Sequence, residues 1–392
     1  MITKLQSEIE RRLKDTDTLL AIIGPEMRLR RTMMKKTLKF VSYRICSISY
    51  ISKIESNDIK PNKDYLNEIG KRLDMSEDQL DGLVELREVL NTGIREFLFN
   101  KDSYVSFILK NKSEYVNYRY KLLVLLNDLN HNNIIEAEKN YSELTKISKS
   151  MTEYDFKIFV ILSAIYLFKC GEISEAYNIL LLISNMELSE NLRYILNLYL
   201  FYCLSILGRV ETIDYYHKTR NDLISIGSYE LLDDINYNLA LFYIKSGSYR
   251  YASNLLDSIK NTKRKNTIRL LINYFSDEPI NYFNINELLP LGKIVYCNKH
   301  DRDNLKKEVE NAKSEEYRID YFEDIFNYLL VEDDAKIKYL LAKGKSIIKN
   351  SEDLFVKKYF LKEIYKICQN CNKYRFLFDM CNSYYEGEFI WK

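Results

Sequence analysis

The sequence predicts an all-α protein: a short N-terminal cluster of helices followed by a long array of stacked helix pairs. Three observations carry that reading. Only 4 Pro and 11 Gly occur in 392 residues. That is too few to punctuate the strands of a sandwich or propeller, or the loops of a glycine-rich nucleotide fold. Hydrophobic residues make up 46% of the chain, with 33 Tyr and 18 Phe, enough to build a large core and to exclude a disordered chain. From about residue 103, helical stretches alternate with short polar breaks at Asn130–Asn133, Cys170–Ile173, Gly208–Val210 and Ser246–Ser248. The breaks recur at about 38 to 40 residues, the period of a solenoid whose repeats each contact only their neighbours.

Taken in order, residues 1–24 form an N-terminal extension helix, with Ile2, Leu5, Ile9 and Leu13 at helical spacing. Pro25 is expected to start the next helix, because proline is tolerated in a first turn. Residues 25–76 hold several short helices, interrupted by a loop at Asn57, Asp58 and Pro61. Ser76 and Gln79 resemble a capping box that opens a linker helix within 77–102. Residues 103–392 form the solenoid. It falters between Pro279 and Pro290, where an irregular connection is expected, and resumes with helices near 301–313, 316–330, 333–349, 353–370 and 373–386.

The clearest repeat runs from Asn238 to Ala252. Leu239, Ala240, Tyr243, Gly247 and Ala252 fall at the packing positions of the tetratricopeptide repeat, which the segment resembles. Small residues let two helices approach and the tyrosine fills the space between them. Weaker copies lie around Gly171 with Ala176, and around Gly208. A non-repetitive helical bundle is the alternative architecture.

Charge is uneven. The whole chain carries +2, yet residues 28–63 hold ten basic residues against Glu55 and Asp58, a net +8 that leaves −6 on the remaining 356. A basic island on an acidic body points to one polyanion-binding segment. Within it, Ser49-Tyr-Ile-Ser-Lys-Ile-Glu55 is followed by Asn57, Pro61 and then Tyr65, Leu66, Ile69 and Leu73. This pattern resembles the lambda-repressor-like helix-turn-helix of the Xre family. The resemblance implies helices near 25–35, 37–43, 47–55 and 63–73, with a turn at 44–46. Val41, Ile45, Ile51 and Ile54 would form the small core. It also implies a structural ion pair between Arg31 and Glu55. Thr37 would cap the second helix, whose N-terminus can face a phosphate. Ser47, Ser49, Tyr50 and Lys53 are expected to enter the major groove. Lys39, Arg44, Asn57 and Lys60 would lie along the DNA backbone. The sequence departs from the family in a turn one residue shorter, with Cys46 where glycine is usual, and in Leu38 at a normally polar position.

A head of this type on a tetratricopeptide-like body is similar in architecture to the peptide-pheromone-responsive regulators of Gram-positive bacteria, the Rgg, PlcR, NprR and PrgX type. The resemblance implies a cytoplasmic homodimer acting in transcription regulation and quorum sensing. Two heads would sit on a palindromic operator in double-stranded DNA, and a short, hydrophobic signalling peptide would lie in the concave face of the solenoid. Projection of the repeat places Tyr237, Asn238 and Leu241 on that face, with Tyr199 and Tyr202 from the preceding unit. Earlier units contribute Ile161, Leu162, Leu122 and Leu123, with Arg119 near the edge. An asparagine amide both donates and accepts, so Asn238 could clamp a peptide backbone. Two alternatives stay open: a DNA-binding regulator whose body only dimerises or binds protein, and a helical adaptor that does not bind DNA. The C-terminal helices are the expected dimer surface.

Other chemistry is unsupported. The sequence shows no Walker loop, dinucleotide fingerprint or HExxH, so no enzyme and no cofactor are expected. Cys297 with His300 and Cys368 with Cys371 have zinc-like residue types, but their spacing is also ordinary helix packing, and no metal site is expected. His131 and His217 have no nucleophile suggested by motif. Asp233 with Asp234 and Asp333 with Asp334 read as solvated helix ends or faces. Tyr384, Tyr385 and Trp391 read as a docked tail. Seven irregularly spaced Cys do not form a disulfide framework. No apolar run approaches the length of a membrane span, and the charged N-terminus is not a secretory signal.

Overall fold

The computed structural model describes residues 19–59, 61–75, 77–99, 105, 109, 117–280, 284–315, 325, 327–329, 331 and 333–371. Among these every regular element is helical. The chain divides into two units, residues 1–168 with 175–196 and residues 169–174 with 197–392.

The first unit opens with α1 (Leu19–Met33), α2 (Leu38–Ser42), α3 (Ile48–Glu55), α4 (Lys63–Arg72) and α5 (Glu77–Phe97). Pro25 lies inside α1, which corrects the expectation that it starts a helix and removes the boundary drawn at residue 24. An interior proline loses one backbone hydrogen bond. Here the helix continues because Ile23 and Met27 on either side bury themselves in the head's core, with Val41, Ile51, Ile54, Ile69 and Leu73. The neighbouring glycine has its own reason. A Cβ on Gly24 would lie 2.2 Å from the Ile54 carbonyl oxygen and 2.4 Å from Asn57 Oδ1. Only glycine lets α1 come this close to the end of α3.

The opposite side of α1 serves the body. α6 (Tyr118–Asn130) and α7 (Ile134–Ile147) form the first hairpin, and α1 packs against both as well as against α3 and α5. Glu26 accepts the Tyr118 backbone N–H at 3.1 Å, satisfying one of the orphan donors at the start of α6. Its other oxygen accepts Arg30 Nε at 2.7 Å. Burial pushes the Glu26 carboxyl above its ordinary range, and Arg30 opposes the shift. The head is therefore joined to the first hairpin by a shared helix as well as by α5, which buries Leu86, Val89, Leu90 and Ile94.

The four polar breaks read from the sequence fall in helix-connecting turns: α6 to α7, α8 (Glu153–Cys170) to α9 (Ile173–Ser184), α10 (Glu190–Leu207) to α11 (Thr212–Ile226), and α12 (Tyr229–Lys245) to α13 (Tyr249–Asn254). Each turn holds one left-handed residue, Asn132, Gly171, Gly208 and Gly247, at φ 59°, 93°, 74° and 78°. Their separations are 39, 37 and 39 residues. Five residues after three of them stands a fully buried alanine, Ala137, Ala176 and Ala252. The left-handed residue ends the first helix and the alanine lets the second lie close to it. After Gly208 the sequence has Ile213 at that place, and Thr212 is buried instead.

The second unit continues with α14 (Thr262–Phe275), α15 (Pro290–His300), α16 (Arg302–Glu315), α17 (Asp333–Tyr339), α18 (Lys345–Asn350) and α19 (Leu354–Cys371). Among the described residues between α14 and α15 there is one short turn, Ile285–Glu287, and Pro290 opens α15 at its first position. The expected helix at 373–386 lies outside the described residues, as does most of that at 316–330. So do the Tyr384, Tyr385 and Trp391 tail and residues 1–18 of the extension helix. A π-helical turn at Leu340–Gly344 divides the expected 333–349 helix.

One end of this unit is bound together by the segment leading into α19. Glu352 accepts the Ser174 backbone N–H at 2.9 Å. Leu354 fills the space where a Gly208 side chain would stand. Lys358 Nζ donates to the Ile244 carbonyl at 2.5 Å, and Lys362 Nζ donates to Phe275 O at 3.3 Å. The C-terminal carbonyls of α12 and α14 thus each receive a cation, the arrangement a helix dipole favours. Buried Lys245 pairs with Asp353 at 3.0 Å, just ahead of α19.

Candidate nucleic-acid interface

The head is built from capped short helices. The Thr37 hydroxyl accepts the Phe40 N–H at 3.2 Å and opens α2. The Ser47 hydroxyl accepts the Tyr50 N–H at 3.1 Å and opens α3. Arg72 of α4 donates to the Phe40 and Val41 carbonyls, both at 3.1 Å, and closes α2. Between α2 and α3 the left-handed residue is Arg44, at φ 57°. Cys46, which stands where glycine is usual, is not in that conformation. Ile45 and Cys46 pack against the head core, half-buried.

Arg31 and Glu55 form a two-pronged ion pair, Nε to Oε1 at 2.6 Å and Nη2 to Oε2 at 2.7 Å. Glu55 is buried and Arg31 half-buried. The hydrogen bond that Arg31 donates to Glu55 raises the Arg31 pKa, against the cost of burial. The pair locks the last residue of α3 onto α1, so this side of α3 is structural.

The other side of α3 is open. Ile51, Ile54 and Glu55 face in, whereas Ile48, Ser49, Ser52 and Lys53 are exposed. Lys39 and Arg44 are exposed as well, and the Arg44 guanidinium lies 5.2 Å from the Tyr43 ring centre. Ser49, Lys53, Lys39 and Arg44 thus share the solvent-exposed surface of the helix-turn-helix. The Thr37 and Ser47 hydroxyls are caps, exposed at the starts of their helices, and remain open to a phosphate as donors.

Two residues depart from the expected arrangement. Tyr50 is turned inward: its hydroxyl accepts the Asn62 N–H at 2.8 Å and its ring meets Tyr65 edge-on at 5.5 Å. It fastens the α3–α4 loop and does not project from α3. Asn57 donates from Nδ2 to the Ser150 carbonyl at 2.6 Å, and Arg28 Nη1 donates to the Ser150 hydroxyl at 3.2 Å. Asn57 therefore tethers the end of α3 to the turn after α7. Its left-handed backbone, φ 57°, ends α3. Lys60 lies outside the described residues. Sequence reasoning missed Ile48 and Ser52. The signal was available, because Ile48 and Ser52 stand four residues apart and share one side of α3.

The residues assigned to a peptide behave differently. In the first unit Arg119 is fully buried, with Nε 3.0 Å from both Asp155 oxygens and Nη2 2.9 Å from Oδ2. Tyr118 and Thr152 hydroxyls donate to the same carboxylate. Arg119 is a core ion pair and not the edge of a groove. Leu122, Leu123, Ile161 and Leu162 are likewise buried. In the second unit Tyr199, Tyr202 and Asn238 are buried. The Tyr202 hydroxyl donates to Asp234 Oδ2 at 2.6 Å. Asn238 Nδ2 donates to the Asp234 carbonyl at 2.9 Å and to its carboxylate at 3.1 Å. Arg264 of α14 closes the cluster on Asp233 at 2.9 Å and Asp234 at 2.7 Å. These side chains join α10, α12 and α14 to one another. Asp233 and Asp234 are thereby corrected from solvated acids to bridging ones. Tyr237 and Leu241 stay half-buried, and Tyr237 lies under Arg264 at 6.0 Å.

Of the zinc-like pairs, Cys297 is buried in α15, where burial pushes its thiol up to about 11. His300 packs against Tyr296. The side chains of Cys368 and Cys371 lie outside the described residues. Among the described residues no three His, Cys, Asp or Glu form a metal-binding group, and no helix is long and apolar enough to cross a membrane.

What this geometry defines is a helix-turn-helix head with an exposed, partly basic face, carried on helical hairpins. No family model matches the chain, and no curated protein is similar to it. Among solved structures, the crystal structure of Bacillus thuringiensis PlcR in complex with the peptide PapR7 and DNA is similar at 17% identity. The match covers 64% of this chain and 99% of that one, with a TM-score of 0.33, a loose superposition.

Proposed function

We propose that this chain is a DNA-binding transcriptional regulator, not an enzyme, and that it contacts duplex DNA through α3 and the turn before it. The observation that carries this reading is the division of α3 into two sides. One side is locked by the Arg31–Glu55 pair and the Ile51–Ile54 core. The other presents Ser49 and Lys53, with Lys39 and Arg44 beside it, in a segment of net charge +8. Short hydroxyls and a cation on an exposed helix suit base edges and phosphates. Tyr50 and Asn57 are left out of the contact set.

The hairpin body is the regulatory half in this reading. It would dimerise, so that two heads meet a palindromic operator in the cytoplasm, and take up a short apolar peptide. Support for the peptide is the sequence resemblance and the half-buried pair Tyr237 and Leu241 on α12. A second reading, in which the body binds no peptide, is favoured by one observation: Arg119, Tyr202 and Asn238 already hold partners within the fold.

The test is a gel shift of the full chain on its own upstream region, at low and physiological salt, with unrelated duplex as competitor. A complex that resists competitor supports a regulator. Binding lost equally to any competitor overturns it. Calorimetry with peptides encoded beside the gene separates the two readings of the body.

A further inference from the structure

The exposed side of α3 has an unusual inventory. From Ile48 to Glu55 it contains no Arg, Asn or Gln. Those are the side chains that read guanine or adenine through paired hydrogen bonds in the major groove. Serine hydroxyls accept or donate to several bases and discriminate little, and a single lysine offers a point charge. What remains is Ile48. It stands at the first position of α3, 48% exposed, next to the Ser47 cap. A β-branched residue is a modest helix former, so helix propensity does not account for it. Nor does the head core take it in: from α3 that core buries Ile51 and Ile54 and leaves Ile48 out.

One feature of the major groove is apolar and base-specific: the C5 methyl of thymine. Resting on the DNA-binding reading above, we propose that Ile48 is a specificity-determining residue that packs on a thymine methyl, so that α3 selects thymine by apolar contact and not by a bidentate hydrogen bond. Ser49 and Lys53 then set hydrogen bonds and charge beside it. Ile48 lies at the start of α3, the end of a recognition helix that approaches base edges in this motif.

The proposal is tested by atomic substitution in the DNA. The full chain is first used to select its preferred duplex from a random pool. Each thymine of that site is then replaced in turn by uracil, which deletes the C5 methyl and keeps the pairing. Affinity is measured for the unaltered protein, Ile48→Ala and Ile48→Val. The expected result is one thymine per half-site whose replacement weakens the unaltered protein about three- to fivefold, the scale of one buried methyl group. Ile48→Ala should lose that dependence and Ile48→Val should keep most of it. A selected site at which no uracil replacement matters, or at which Ile48→Ala keeps the full dependence, overturns the proposal while leaving DNA binding intact. A change in oligomeric state by Ile48→Ala, with thymine dependence unchanged, also overturns it and assigns the residue to a protein contact. A pool that yields no enriched site overturns the DNA-binding reading itself.

Discussion

The open side of α3 was expected from a helix-turn-helix resemblance, and the peptide-holding face of α12 from projection of a repeat; both assign polar and aromatic side chains of a helix to an open face. On α3, Ser49 and Lys53 point to solvent. On α12, Asn238 folds back on the Asp234 carbonyl, and Tyr202 and Arg264 converge on the same aspartate. Environment makes the difference. α3 is a short helix on the surface of a small head, packed on one side only. α12 is packed by α11, α13 and α14, and polar groups held there must find partners within the protein. Helical spacing identifies a side of a helix; it does not say how many neighbours that helix has.

The sharpest way to break this contrast is Arg119→Ala. If Arg119 served a ligand, its removal would leave stability unchanged. As a buried partner of Asp155, its loss leaves an unpaired carboxylate in the core. We expect a loss of about 3–5 kcal/mol, read as a lower urea midpoint of the full chain. Asp155→Asn should cost less, since Tyr118 and Thr152 can still donate to the amide oxygen.

A second buried acid behaves in the opposite sense. Asp128 of α6 has its carboxyl pushed up to about 6, chiefly by burial and further by Glu136, with Asn140 and His131 opposing. The folded chain thus holds this proton more tightly than the unfolded chain, whose carboxyl has the ordinary value of 3.8. The favourable contribution is full below that value and is lost as pH rises through about 6. Asp128→Asn keeps an acceptor for Asn140, 3.2 Å away, and removes the penalty. It should raise stability by about 1–3 kcal/mol at neutral pH, a gain that fades toward pH 4. Denaturant melts at several pH values measure this. A pH-independent effect would remove burial as the cause.

On α12 itself, Asn238→Ala removes two donated hydrogen bonds from a partly buried cluster. The expected cost is about 1–2 kcal/mol, with Tyr202→Phe nearer 1 kcal/mol. If Asn238→Ala leaves the melt unchanged but abolishes binding of a peptide, the side chain is a ligand contact and its assignment to helix joining fails.

Much of the fold was legible because its signals are local. The left-handed turns at Gly171, Gly208 and Gly247 and the alanines after two of them are sequence features that act within one hairpin. The Arg31–Glu55 pair came with a motif that specifies both partners. The errors concern contacts between elements distant in sequence. Nothing local tells Asn57 that Ser150 is its acceptor, 93 residues away, or Arg119 that Asp155 lies beside it. Pro25 was misread because Ile23 and Met27 on either side of it pack into the head core, a tertiary fact. Tyr50 was read as outward from its place in the helix-turn-helix resemblance, yet its hydroxyl accepts the Asn62 N–H.

The smallest expected effect on stability falls where the effect on function should be greatest. Lys53 is exposed, and surface substitutions of this kind change stability by about 0.5 kcal/mol or less. Lys53→Ala should therefore melt with the unaltered protein, as should Ser49→Ala. Affinity for the selected duplex should fall in both. The salt dependence tells them apart. A lysine that neutralises a phosphate lowers the slope of log affinity against log salt by about one when removed, uniformly across sequences, whereas a base contact relaxes preference at one position. Arg119→Ala lowers stability, and any loss of DNA binding it causes follows from unfolding. If Lys53→Ala destabilises the chain as Arg119→Ala does, the open side of α3 is no more open than that of α12, and the contrast collapses.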